Sequence, residues 1–181
     1  MRKPDQLVTR RGVVAGLSAG AAVCATDVRA QAGQPIDHSA ESIHQERAFA
    51  APPARVYGVL TDARQFQQVV LLSDAVRSGM VKTTPPAQIG KEGETFTLFG
   101  GIIAGRQIEL VPNVRIVQAW RPADWQAGIY SIARFQLAAR STGTQLIFDH
   151  TGFPKGQAQH LADGWNTNYW QPLEKYLSRP R

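Results

Sequence analysis

Cysteine is all but missing from this chain of 181 residues, where Cys24 is the single one. It has no intrachain partner, so disulfides are excluded. The chain beyond it has no thiol nucleophile and no thiolate cluster for a metal, and must take its stability from a packed core. Val23 precedes Cys24 where a lipidation site would have a small residue, which argues against lipid attachment. Long apolar runs are missing too. A spanning helix needs about 20 strongly apolar residues, and the mild run from Gly12 to Ala25 is shorter and rich in glycine. No block of Lys and Arg resembles a nucleic-acid footprint, although the formal net charge is +6. Half of that charge sits in residues 1–32, where Arg2, Lys3, Arg10, Arg11 and Arg29 outnumber Asp5 and Asp27. Nucleic acid is therefore not expected as a partner. There is no HExxH, no GxSxG, no CxxC and no glycine-rich phosphate loop, and His38, His44, His150 and His160 lack metal-site spacing. No metal, nucleotide or other cofactor is implied.

What the chain does have is tryptophan in one half only. All four fall between Trp120 and Trp170, in two clusters: Trp120 with Trp125, and Trp165 with Trp170. Large aromatics bury more area than any other side chain. Two clusters on different elements predict a shared apolar chamber between a sheet and a C-terminal helix.

The first 32 residues read as an export signal. A basic, polar start leads through Arg10-Arg11 into a weakly apolar Ala/Gly run and ends on Val28-Arg-Ala-Gln-Ala32, small residues at signal-peptidase spacing. The arginine pair resembles a twin-arginine signal, which addresses already folded proteins for export. The mature protein is expected to be periplasmic or secreted, with no stable membrane insertion once the signal is removed, and residues 33–41 are expected to form a flexible leader.

From Ser42 the pattern predicts an α+β fold. Ser42–Ala48 reads as an edge strand, and Ala51–Leu60 as a helix with Pro52 and Pro53 in its first turn. Ala63–Val70 reads as a second short helix. Period-two segments then predict strands at Ala75–Val81, Glu94–Phe99, Ile102–Val111, Arg115–Arg121, Tyr130–Ala139 and Thr144–Thr151, separated by turn residues. After Pro154 and Gly156 comes a helix of about twenty residues, with Leu161, Trp165, Tyr169, Leu173 and Tyr176 on one stripe. A curved antiparallel sheet of six or seven strands, wrapped on that last helix, is the architecture that covers every apolar face.

Residues 42–178 resemble an SRPBCC (START-like, helix-grip) domain, and within that superfamily the bacterial homologues of the activator of the heat-shock protein 90 ATPase. The resemblance rests on Phe49-Ala-Ala-Pro-Pro-Ala-Arg-Val-Tyr57 with Leu60-Thr-Asp62, and on Phe99-Gly-Gly-Ile-Ile-Ala-Gly-Arg106. It rests further on Glu109-Leu-Val-Pro-Asn113 with Arg115-Ile-Val-Gln-Ala-Trp-Arg121, and on Gly164-Trp165 with Tyr169-Trp170-Gln-Pro-Leu173. It implies the helix-grip fold. It does not fix a function, because the superfamily includes lipid and hormone carriers, polyketide cyclases and co-chaperone domains.

Three readings of the chamber follow. The favoured one is an exported protein binding a small hydrophobic molecule, with Phe99, Trp120, Trp125, Tyr130, Phe135, Phe148, His150, Trp165 and Tyr169 as the candidate lining. The second is a cyclase- or hydrolase-type enzyme with His150 or Tyr130 as acid/base. A lone histidine at a strand end is more often a hydrogen-bonded structural residue, and no catalytic residue is assigned. The third is a chaperone-like interaction domain, against which export argues. Arg106, Arg121 and Arg134 are expected on a solvated outer face.

Overall fold

In the computed structural model of the protein, the described residues are 40–83 and 89–179. The expected signal at 1–32 lies outside them, as does the expected leader up to residue 39. Six strands form one antiparallel sheet in the order β1-β6-β5-β4-β3-β2. They are β1 (Ala40–Phe49), β2 (Thr95–Leu98), β3 (Ile103–Val111), β4 (Arg115–Pro122), β5 (Ser131–Arg140) and β6 (Gly143–Pro154). Consecutive strands from β2 to β6 are neighbours, as short turn-rich connections require, and β1 returns to the open edge of β6. β1 starts at Ala40, so the last two residues of the expected leader belong to the sheet.

The alternation that suggested strands also sets their faces. On β5, Ser131, Ala133, Phe135 and Leu137 are buried while Ile132 and Arg134 are exposed. On β6, Thr144, Leu146, Phe148 and His150 point the same way. A one-residue slip would turn all of them to water. Gly105 on β3 permits close packing. A Cβ there would stand 2.4 Å from the Phe96 ring and 2.7 Å from the Ala119 carbonyl oxygen.

Two short helices follow β1, α1 (Pro53–Thr61) and α2 (Ala63–Val70). Pro53 sits in the first turn of α1, where its missing N–H is not needed, and Val56, Val59 and Leu60 face the core. The Asp62 carboxylate accepts from the backbone N–H groups of Arg64 and Gln65, at 3.1 and 2.9 Å, and so caps α2.

The seventh strand expected at Ala75–Val81 is not one. Asp74–Arg77 is a short helix, α3, capped by Ser73 Oγ accepting from Val76 N–H, and ended by Gly79 at φ 75°. A Ser-Asp start with a glycine stop is helix punctuation, and it outweighs a short apolar alternation.

The last helix runs from Ala158 to Leu177 in three pieces: α4 (Ala158–Trp165), a π-helical turn (Asn166–Trp170) and α5 (Gln171–Leu177). Leu161, Trp165, Tyr169 and Leu173 are buried as the stripe predicted. Beyond the π turn Leu177 is buried, while Tyr176 is only half-buried. Leu177 follows Leu173 by four residues within regular α5, so it carries the buried stripe to the end of the helix. β1 pins this helix through side chains. Gln45 Nε2 donates to the Ala162 carbonyl oxygen at 3.1 Å, Trp170 Nε1 donates to Gln45 Oε1 at 2.6 Å, and Arg47 donates to Asn166 Oδ1 at 3.2 Å. No helix of the described residues is long and apolar enough to cross a membrane.

Candidate ligand pocket

Where the last helix leaves the sheet uncovered, a pocket of about 390 Å³ opens. That size lies within the ordinary range for small-molecule sites. Its four sides come from four parts of the chain. The helix gives His160, Leu161, Gly164, Trp165, Asn168 and Tyr169; the end of β4 and its loop give Trp120, Pro122, Ala123 and Asp124. The β2–β3 turn gives Phe99, Ile102 and Ile103, and the α3 region gives Ala75, Met80 and Val81.

The β2–β3 turn is strained in a way that serves the pocket. Phe99, Gly100 and Gly101 all have positive φ, at 53°, 66° and 97°. Glycine accepts this freely, whereas a bulky aromatic residue in the left-handed region stores about 1–3 kcal/mol. In exchange, the Phe99 ring is buried edge-on to Tyr169, with ring centroids 5.5 Å apart. Gly100 has no room for a side chain, since a Cβ would meet the Lys82 carbonyl oxygen at 2.3 Å. Gly164, in α4, also borders the pocket. A Cβ added to it meets no heavy atom within 4 Å, so its missing side chain leaves open space.

The floor is aromatic. Trp165 lies 4.1 Å from Tyr169, 5.3 Å from Trp120 and 4.4 Å from Phe148, ring centre to ring centre. Beneath it runs one buried polar chain. Trp165 Nε1 donates to His150 Nδ1 at 3.0 Å. An indole N–H only donates, so Nδ1 is the bare nitrogen and Nε2 carries the proton. That N–H donates to Ser131 Oγ at 2.6 Å, and the Ser131 hydroxyl donates to the Trp120 carbonyl oxygen at 2.8 Å. The last helix and strands β6, β5 and β4 are thus joined by three hydrogen bonds. Burial holds His150 neutral, with its pKa lowered from 6.5 to about 3.

Two further polar atoms end without partners. Trp120 Nε1 and the Tyr169 hydroxyl are buried and make no hydrogen bond of good geometry within the described residues. Burial pushes Tyr169 well above its ordinary pKa, with a small opposing pull from the nearby Trp120 indole. On the other side of Tyr169 a small void of about 10 Å³ lies among Leu60, Phe66, Gln118 and Phe135. It has room for about one water molecule.

The structure therefore sorts the nine expected lining residues. Phe99, Trp120, Trp165 and Tyr169 line the pocket. Phe135 borders the small void instead. Phe148 and His150 lie fully buried under the floor. Trp125 backs Trp120 edge-on at 6.2 Å without reaching the pocket. Tyr130 is turned away from it. That residue is 49% exposed, with the Arg121 guanidinium 5.6 Å from its ring centre. Tyr130 directly precedes β5 and shares the parity of the exposed Ile132 and Arg134, opposite to Ser131 and Ala133, which face inward. The arginines lie as expected for Arg106 and Arg134, which are exposed. Arg134 pairs with Asp149 at 3.0 Å, and Asp149 also meets His44 at 2.7 Å on the outer face. Arg121 is half-buried and donates to the Trp125 carbonyl oxygen.

Sequence reading missed Gly164, Met80, Ile102, Asp124 and His160. Gly164 left a signal: a glycine inside a strong helical pattern, directly before a tryptophan, weakens the helix and so asks for a packing or functional reason. The others lie on the lip, where no periodicity marks them.

Comparison with known proteins agrees with this architecture. The chain is similar to the activator of 90 kDa heat shock protein ATPase homolog 1 of Homo sapiens, with 23% identity over 78% of this chain and 46% of the relative. It is similar to homolog 2 of Mus musculus at 22% identity, over 65% of this chain and 35% of the relative. The chain thus spans less than half the length of these curated relatives. Among solved structures, an HSP90 activator from Plasmodium falciparum shares the fold with a TM-score of 0.60 at 23% identity, covering 78% of this chain and 98% of that one. The family model described as Activator of Hsp90 ATPase homolog 1-like protein matches residues 50–178. With the helix-grip fold in place and most of the chain matched, the protein belongs to the activator of Hsp90 ATPase homolog 1-like family.

Proposed function

We propose that this chain is an exported protein that binds a small hydrophobic molecule in the pocket between the sheet and the last helix. One observation carries the binding part: a pocket of about 390 Å³ whose floor is Phe99, Trp120, Trp165 and Tyr169. The titratable groups other than Tyr169 that border it, Asp124 and His160, are exposed. An apolar interior with polar groups at the lip is the usual form of a small-molecule site. The strained Phe99 backbone supports the same reading, since strain of this kind collects at ligand clamps. A cyclase- or hydrolase-type reaction has less support. Catalytic proton transfer needs a group within hydrogen-bond reach of substrate, and His150 has both ring nitrogens engaged beneath the floor.

The test is a fluorescence titration with the neutral probe N-phenyl-1-naphthylamine. The native protein should bind about one equivalent, and Gly164→Leu should abolish binding by filling the pocket. Replacing a helical glycine raises helix propensity by up to about 1 kcal/mol, so the variant should remain folded. Native protein that leaves the probe unbound, or a folded Gly164→Leu that binds it unchanged, refutes the proposal.

Export rests on Arg10-Arg11 and the Val28–Ala32 site. Changing both arginines to lysine should hold the precursor in the cytoplasm, and unchanged delivery would refute the twin-arginine route. The names of the curated relatives favour a second reading, activator-type contact with a 90 kDa chaperone ATPase. Stimulation of such an ATPase by the purified domain would support it.

A further inference from the structure

The lip of the pocket says what kind of molecule should enter. We propose that the preferred ligand is an apolar or aromatic body carrying an amine headgroup, held at the lip by Asp124. This rests on the binding reading above and adds the sign of the headgroup.

Asp124 is the only carboxylate side chain that borders the pocket among the described residues. It forms no ion pair with any of them. The nearest cationic neighbour in sequence, Arg121, does not border the pocket, since its guanidinium is committed to the Trp125 carbonyl oxygen and the Tyr130 ring. Among the described residues no lysine or arginine borders the pocket, so none of them offers the usual recognition group for a carboxylate or phosphate. On the helix side of the lip His160 offers a ring nitrogen, an acceptor in its neutral form. Asn168 is already spent, since its Oδ1 accepts from Ala75 N–H at 3.0 Å and its Nδ2 donates to Thr167. The lip therefore presents a carboxylate unpaired among the described residues, above an aromatic floor, which suits an ammonium group and repels an anion.

The experiment displaces N-phenyl-1-naphthylamine with three compounds sharing one ring system: 2-(1-naphthyl)ethylamine, 2-(1-naphthyl)ethanol and 1-naphthaleneacetate. At low salt the amine should displace the probe at about two- to five-fold lower concentration than the alcohol, the range for a solvent-exposed ion pair. The acetate should be the weakest of the three. Asp124→Asn should bring amine and alcohol together, and added salt should narrow the gap in the native protein. An acetate that competes as well as the amine, or a ranking that survives Asp124→Asn, overturns the headgroup assignment and leaves the pocket intact. A native protein that never binds the probe overturns both.

Discussion

Lowering the pH from 7.5 to 5.0 protonates an exposed imidazole but leaves the buried ring of His150 neutral. Its pKa is about 3 in the folded protein against an ordinary 6.5, because burial disfavours the cation. Between those values the unfolded chain binds the extra proton, so stability rises with pH through this window. The contribution is fully present above pH 6.5 and is lost progressively as pH falls towards 3. Integrating the two titrations gives a loss of roughly 2 kcal/mol between pH 7.5 and 5.0. His44 works with the opposite sign. Hydrogen bonding to Asp149 raises its pKa, so its contribution is present at low pH and is lost as pH rises through its folded value. It is therefore best removed first, by His44→Gln. The carboxylates held low by their partners, Glu41, Glu109 and Asp149, have ordinary values of 4.5 or below, so they begin to matter only beneath this window. Urea unfolding followed by tryptophan fluorescence, at steps from pH 7.5 to 5.0, supplies the measurement. His44→Gln should lose about 2 kcal/mol more across this range than His44→Gln/His150→Gln. The double variant starts less stable, by about 1–3 kcal/mol, through the unpaired Trp165 N–H, but only the pH slopes are compared. Parallel slopes would show that His150 is not the buried neutral group described.

Three other outcomes follow from the packing. Trp165→Ala should cost about 3–5 kcal/mol in denaturant unfolding, whereas Trp165→Phe, which keeps a ring but removes the N–H to His150, should lose about 1–3 kcal/mol. Gly105→Ala forces a Cβ against Phe96 and the Ala119 carbonyl, and should lower stability by about 1–3 kcal/mol although its backbone conformation is ordinary. Asp62→Ala removes the cap of α2 and should cost about 1 kcal/mol, read as a lower thermal midpoint with probe binding unchanged.

The architecture was legible because its signals repeat. Alternation over β5 and β6 placed Phe135, Leu137, Leu146, Phe148 and His150 inward, and a four-residue spacing placed Leu161, Trp165 and Tyr169 on the last helix. One error came where local chemistry beat the pattern: Ser73 and Gly79 turned an apparent strand into α3. The pocket was legible only in outline. Aromatic residues announce a core, but nothing in their spacing separates a ring that lines a cavity, such as Trp120, from one beneath it, such as Phe148. That difference depends on where the sheet curves away from the helix. The lip residues Met80, Asp124 and His160 converge from three distant segments, and no local pattern joins them.

The wide turn at Asn166–Trp170 is best viewed as an inserted residue. One residue advances an α-helix by roughly 100°, so a single deletion among Asn166, Thr167 and Asn168 would restore regular winding only by swinging one half of the helix about its axis. Tyr169 and Trp170, adjacent in sequence, are both buried now. A deletion would turn the α5 half by about 100° relative to α4 and carry Leu173 and Leu177 away from the face they now bury. The turn thus fixes the phase between the half of the helix that borders the pocket and the half that anchors α5 to the core. A shortened turn would trade a pocket wall for an anchor.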